Sequence, residues 1–213
     1  MKKIYNLKKS SEFSFNVRKK ILEMSFNAGS ASAHIGGALS SSDIISVIFS
    51  NFLKYDINKT TWEKRDRFIL SKGHACLAYY ASLNQIGFLS DNDLMSFEKD
   101  NSDLAGHPVK NLSKGIEFST GSLGMGLSIA VGLGLAYKIK GIENKVYIIM
   151  GDGECNEGSN WEALMTASHF KLDNLVIFID KNNFQQTGNC REILNLNNLS
   201  EQLKSFNCFS REI

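Results

Sequence analysis

Proline is almost missing from this chain: Pro108 is the only one in 213 residues. Together with the abundant Asn, Lys and Ile it fits a bias of genome composition, and no function is taken from it. Cysteine is scarce as well. Cys76, Cys155, Cys190 and Cys208 lack the close pairing of a zinc site. They read as reduced thiols in a cytoplasmic protein. Charge of one sign is also lacking. A net charge of +2 argues against nucleic acid or an acidic membrane as the main partner. Lys2, Lys3, Lys8 and Lys9 make a basic start, but no apolar run follows, so a signal peptide is not expected. Nor is an 18-residue apolar run found for a membrane span. Internal repeats, low-complexity tracts and interdomain linkers are absent too.

Hydrophobic residues make up 43% and charged residues 22%, the balance of an ordinary soluble domain. The length allows one domain with a sizeable core, taken here as residues 1–213. Residues 1–12 are polar and read as a loose lead-in. Phe15 to Ala28 carries Val17, Ile21 and Met24 or Ala28 at helical spacing, and Gly29 ends that helix. Ser30–Ser41 is small and glycine-containing, with His34 in its middle. Asp43–Phe52 reads as a second helix, Asp66–Leu70 as a short strand, and Ala75 to Ile86 as a third helix. Ser90-x-x-Asp93 is a helix start signal for a short helix through Phe97. Gly121–Ile139 reads as a glycine-rich turn leading into a helix. Leu194–Phe206 reads as loop then helix, and Arg211-Glu212-Ile213 as the start of another strand.

The most informative stretch runs from Lys145 to Gly188. The apolar run Lys145–Met150 breaks at Gly151-Asp152-Gly153. An amphipathic run follows, and then a second apolar run, Leu175–Asp180, ends near Asn182-Asn183. This is strand, helix, strand: a βαβ unit of a parallel sheet. Ligands of such sheets sit outside the carboxyl ends of the strands. Asp152 lies just past one strand end and Asn182 just past the next, one crossover later. A carboxylate and a carboxamide oxygen are hard ligands, suited to Mg²⁺ or Ca²⁺. Gly153 lets backbone approach closely, and the helix starting near Glu157 offers N–H groups to a phosphate. A Gly-Asp-Gly turn alone is commonplace. At a strand end, with Asn-Asn one crossover later, it points to a divalent cation bridged to a phosphate.

The histidines are four: His34, His74, His107 and His169. Each alone reads as a structural or surface residue. Three of them, however, stand beside glycine in loops, in HIGG, SKGH and GHP, and loops at sheet ends carry chemistry.

The GDG-to-Asn stretch resembles the thiamine diphosphate motif, in its transketolase version. The strings GDGE, NEGSNWEA and HFKLDNL carry the resemblance, which runs from about Asn16 to the chain end. It covers the diphosphate-binding domain only. The resemblance implies an α/β fold, a parallel sheet with helices on both faces. It implies thiamine diphosphate with Mg²⁺, or Ca²⁺ in its place, held by Asp152, Asn182 and the backbone carbonyl of Phe184. Gly151, Gly153 and Glu154 would line the diphosphate. The turn TGSLGMG resembles the family's TG-LG-G segment, which sets Gly121, Ser122 and Leu123 against the cofactor rings. Its bare alternative is a glycine-rich helix start. His34, His74 and His107 match histidines of the substrate funnel, with contacts to sugar hydroxyls or phosphate and proton transfer as their roles; His74 also touches the cofactor. His169 is read as structural.

The implied activity is transfer of a two-carbon ketol unit from a ketose phosphate to an aldose. In the family a glutamate from a separate pyrimidine domain activates the cofactor, and no such domain fits in 213 residues. The chain therefore resembles the amino-terminal subunit of a split transketolase, inactive alone and completed by a pyrimidine-domain subunit in an α₂β₂ assembly. Glu157 matches a family glutamate that reaches towards the partner; its plain alternative is a first-turn carboxylate favoured by the helix dipole. Family chains continue past Ile213, so this chain is a shortened version or a fragment. Two other readings stay open. One is another thiamine diphosphate enzyme, of the deoxyxylulose-phosphate synthase or 2-oxoacid dehydrogenase type; the other is a non-catalytic cofactor-binding module.

Overall fold

A computed structural model of the chain describes residues 6–29, 33–186 and 188–213. Three parallel strands form its centre: β1 (Arg67–Leu70), β2 (Val146–Gly151) and β3 (Leu175–Asp180), in the order β1-β2-β3. Across the sheet Phe68 pairs with Tyr147 and Tyr147 with Val176, while Ile69 pairs with Ile148 and Ile148 with Ile177. The two-residue period sends Phe68, Leu70, Tyr147, Ile149, Val176 and Phe178 to one face. Ile69, Val146, Ile148, Met150, Ile177 and Ile179 go to the other.

On the first face lie α1 (Leu7–Ala28), α2 (Ile35–Val47), α3 (Cys76–Gln85) and the short α4 (Asp91–Met95). The second face is covered by α5 (Met125–Lys140) and α6 (Gly158–His169). A short hairpin, β4 (Phe184–Gln185) with β5 (Gly188–Asn189), follows β3 and leads into α7 (Cys190–Ile193). Finally α8 (Leu199–Ser205) packs Leu199 and Leu203 onto the second face. The expected α/β fold with helices on both faces is what forms.

Two helices begin earlier than their apolar spacing predicts. α1 starts at Leu7 rather than Phe15, capped by the Asn6 side chain, which accepts from Lys9 N at 3.0 Å. The expected loose lead-in is therefore helical from Leu7 on. α2 starts at Ile35 rather than Asp43 and runs on through a π-helical turn, Ile48–Phe52. The reason is serine. Ser10, Ser14, Ser41, Ser42 and Ser46 are buried in these two helices. Their hydroxyls are satisfied locally or across the interface: Ser41 donates to Gly37 O at 2.9 Å, Ser46 to Ser42 O at 2.5 Å, and Ser14 to Asp43 at 2.5 Å. Hydrophobic periodicity cannot register a polar residue that packs as a small core residue. Residues 30–32 of the predicted glycine-serine segment lie outside the described residues.

The span Ile35–Phe52 is 18 residues long with a mean hydropathy of 1.2, which corrects the expectation that no apolar run of that length exists. Ala38, Ile45, Ile48 and Phe49 in it are buried in the core beside α1 and α3. Smaller adjustments follow elsewhere. The capping box at Ser90 and Asp93 forms as predicted, but α4 stops at Met95. α5 begins only at Met125, after the Gly121–Gly124 turn. The strand expected at Arg211–Ile213 does not form.

The amino-terminal edge of the sheet is tied by a buried carboxylate. Glu117 meets Arg65 at 2.7 Å and Arg67 at 3.2 Å, and accepts from Phe68 N at 3.3 Å. Burial pushes this carboxyl up, against the pull of the two guanidinium groups. Glu117→Ala strands Arg65, only 5% exposed, with no counter-charge. The expected loss is about 3–5 kcal/mol of folding stability. Urea denaturation measures it; a loss under about 1 kcal/mol overturns this account of the edge.

Candidate active site

Parallel strands deliver all their carboxyl ends to one edge, and that edge is closed by a buried carboxylate. Glu154, 2% exposed, sits in the single 3₁₀ turn after β2. It accepts from Gly124 N at 3.0 Å, from Gly151 N at 3.1 Å, and from the Ser71 hydroxyl. It thus ties the end of β1, the end of β2 and the turn before α5. The expectation that Glu154 faces a cofactor is corrected here for its side chain: the carboxylate turns inward and is fully engaged.

The predicted pair of loops does meet. Asp152 Oδ2 accepts from Asn183 N at 2.8 Å, and its Oδ1 accepts from Gly153 N at 3.0 Å. Asn183 has φ +63°, a left-handed turn that swings the chain back over Asp152. Asn182 Oδ1 accepts from Phe184 N at 2.9 Å, which draws the carboxamide and the Phe184 backbone together. The Phe184 ring is exposed and carries no donor atom, so only the backbone carbonyl of this residue could act as a ligand. A Cβ at Gly153 would fall 2.7 Å from Gln185 Cβ, so the hairpin closes on this turn only because residue 153 is glycine. Gly151 is buried at the strand end beneath it. The half-buried Cys190 thiol is raised above its ordinary range by burial and by the neighbouring Asp152 carboxylate.

This donor set fits a hard divalent cation: one carboxylate, one carboxamide oxygen and one backbone carbonyl, all on adjoining turns. Among the described residues no group of three His, Cys, Asp or Glu side chains is arranged to hold a metal ion. A cation here would hold one protein carboxylate and leave charge to be met by an anionic ligand such as a diphosphate.

Three of the four histidines also converge. The His34 ring lies 5.6 Å from that of His74 and 6.0 Å from that of His107, centroid to centroid, both edge-on. His34 caps the start of α2, His74 sits in the turn after β1, and His107 lies in the long loop before α5. Glycines make the approach possible. A Cβ at Gly37 would sit 3.0 Å from His74 Cδ2, and one at Gly121 2.7 Å from His107 Cδ2. Gly121 also has φ +136°, and a Cβ at Gly73 would strike its backbone N at 2.7 Å. The Gly121-Ser122-Leu123 turn is therefore part of the same cluster, with Ser122 and Leu123 exposed on it. His34 and His107 are exposed, while His74 is half-buried. Burial, then the Lys72 ammonium and the other two rings, pull His74 down to about 4. Glu157 stands exposed at the start of α6 with its Cβ against Gly124. Its side chain makes no capping bond, so the carboxylate is free for another use. His169, at the far end of α6, packs on Phe170 and takes no part.

Sequence reasoning missed one element of this edge. Lys72 Nζ pairs with Asp180 Oδ2 at 2.6 Å, both groups almost fully buried. Asp180 also accepts from Ser40 at 2.6 Å and from Ser41 at 3.1 Å. Through these bonds the pair joins the end of β1, the end of β3 and the middle of α2. A lysine placed directly between a strand and a glycine-histidine turn was the available signal.

Comparison with known proteins agrees with this geometry. Residues 16–209 match the family described as transketolase, thiamine diphosphate binding domain. One subunit of the apulose-4-phosphate transketolase of Actinobacillus succinogenes is 40% identical over 190 residues, covering 89% of this chain and 68% of that protein. Its counterpart in Phocaeicola vulgatus is 38% identical, covering 89% of this chain and 66% of that protein. Among solved structures, a transketolase from Campylobacter jejuni superposes with a TM-score of 0.86 at 31% identity, over 94% of this chain and 32% of that one. The transketolase of Leishmania mexicana gives 0.85 at 28% identity, over 92% of this chain and 31% of that one. This chain spans about two thirds of the two apulose-4-phosphate transketolase subunits and under a third of the solved transketolases. With a parallel α/β sheet, a hard-oxygen turn and a histidine cluster at one edge, the chain belongs to the transketolase thiamine diphosphate-binding domain family.

Proposed function

We propose that this chain is the diphosphate-binding half of a split transketolase, moving a two-carbon ketol unit from an anionic ketose to an aldose. The observation that carries the reading is the sharing of one sheet edge by the Asp152–Asn182 turn and the three-histidine cluster. Two relatives are named as single subunits of a transketolase, with apulose 4-phosphate in the name. Another, from a Clostridium, is a transketolase subunit named for 6-deoxy-6-sulfo-D-fructose and shares 38% identity. Phosphate in one case and sulfonate in the other support an anionic ketose as donor, rather than any single sugar. The setting proposed is cytoplasmic, on the thiol-bearing sequence alone.

In this reading Asp152, Asn182 and the Phe184 carbonyl hold Mg²⁺, and the backbone at Gly153 closes on the diphosphate. Bound thiamine diphosphate supplies a carbon nucleophile and an electron sink. The protein's own residues do the rest. Leu123, exposed on its turn, gives the cofactor rings an apolar rest. The neutral His74 accepts or returns a proton at a sugar oxygen, and His34 and His107 bind hydroxyls at the mouth. The exposed Glu157 faces the partner that completes the site.

Asp152→Ala removes the only protein charge on the cation. Cofactor affinity should fall about tenfold or more, each ~1.4 kcal/mol being a factor of ten. Asn182→Ala should act in the same direction. Calorimetry with Mg²⁺, thiamine diphosphate and the partner present measures both, and unchanged affinity in the two variants sinks the assignment.

Alanine at His34, His74 or His107 should lower turnover or raise the sugar KM, with cofactor affinity within about threefold of wild type. Joint loss of cofactor binding and folding in all three would instead mark them as structural.

Mass measurement and assay separate a split enzyme from a self-sufficient one. The chain mixed with a pyrimidine-domain transketolase subunit should form an α₂β₂ species and transfer ketol units. Full activity from the chain alone overturns the split reading; a complex without activity favours the non-catalytic one.

A further inference from the structure

The Lys72–Asp180 pair does more than an edge clamp requires. Two apolar side chains of similar volume would join the ends of β1 and β3 without burying two charges. Ser40 of α2 donates to the other oxygen of Asp180 and Ser41 to the one Lys72 holds, so three side chains fix the carboxylate. The lysine is only 1% exposed. It therefore cannot reach solvent or a ligand in the cleft, and its charge can act only on its neighbours.

Besides Asp180, one of those neighbours is His74. The point where a Cβ would stand on Gly37 is 3.2 Å from His74 Nε2 and 3.8 Å from Lys72 Nζ. Glycine at 37 leaves that point clear of a side chain, and the ammonium and the imidazole both border it. The charged or titratable groups acting on this ring are Lys72, His34, His107 and Asp180. Of these only Asp180 favours a protonated ring, and it already serves Lys72 and two hydroxyls. We propose that Lys72 is a positioning residue for His74: clamped on Asp180, its ammonium stands behind the imidazole and keeps that ring neutral. A neutral imidazole can accept a proton from a sugar hydroxyl; an imidazolium cannot. A free imidazole of ordinary pKa ~6.5 would be partly charged even at slightly acid pH.

The direction of the pH effect follows. His74 is held down to about 4 by burial first and Lys72 second. Between that value and ~6.5 the unfolded chain binds a proton that the folded chain refuses. Stability from this group is therefore present above ~6.5 and falls away as pH drops towards 4. Removing the ammonium should narrow the window from its lower end.

The catalytic use of a neutral His74 rests on the transferase reading above; its titration does not. The test is therefore NMR of the histidine ring protons in the chain alone, with four histidines to assign. Wild type should show the His74 midpoint near 4. Lys72→Met should raise it by about one unit or more, a tenfold gain in proton affinity. Lys72→Arg should restore a low midpoint, and His169 should not move in any variant. Because Lys72→Met strands Asp180, the double variant Lys72→Met/Asp180→Asn is measured beside it. With both charges gone the midpoint should still rise, by less. A His74 midpoint within a few tenths of wild type in both charge-removal variants overturns the proposal. So does a midpoint in Lys72→Arg as high as in Lys72→Met. With the partner present, the acid limb of kcat/KM should move up in the Met variant and return in the Arg variant. A raised midpoint with no transfer activity even in wild type leaves Lys72's role standing and removes the transferase reading instead.

Discussion

One buried carboxylate holds the functional edge of this molecule together. Glu154 takes hydrogen bonds from Ser71, Gly124 and Gly151, which belong to three separate segments. An ionised group this deep costs several kcal/mol to bury unless its oxygens are satisfied. Two backbone amides and a hydroxyl satisfy them, and charge-assisted bonds of this kind are about twice as strong as neutral ones. The geometry of the Asp152 turn and of the Gly121–Leu123 turn both follow from where Glu154 anchors its donors.

The Lys72–Asp180 pair does for β1, β3 and α2 what Glu154 does for β1, β2 and α5. Between them the two carboxylates link the ends of β1, β2 and β3 to α2 and to the turn before α5. The remainder of the domain is conventional. Two apolar layers, divided by the alternation of the strands, sandwich the sheet. They explain why the domain folds, but they place no functional atom. Placement belongs to the buried polar groups, where a lost partner is expensive and geometry is correspondingly strict.

The edge so built is open on one side. His34, His107, Ser122, Leu123, Glu157 and the Phe184 ring all remain exposed around it. Exposed apolar groups beside exposed polar ones suit a surface completed by another body, and the buried struts keep that surface in shape before anything binds. Rigid supports beneath an accessible rim are what pre-organised binding asks for.

The sequence by itself determined the parts whose physics is local. Short apolar runs located the strands, Gly-Asp-Gly at a strand end located the Asp152 turn, and Ser90 with Asp93 located a helix start. It named the three histidines and the Asp152–Asn182 pair, because residue type and nearby glycine are enough for that. It placed the starts of α1 and α2 too late, since buried serines look like surface to any hydrophobic pattern. It also aimed Glu154 at a cofactor, where neighbours distant in sequence turn the carboxylate inward. Only the tertiary structure decided that Lys72 meets Asp180 across 108 positions, and that the His34 ring meets both His74 and His107. Such pairings depend on how two crossovers stack on one sheet, and no short-range preference along the chain encodes that distance.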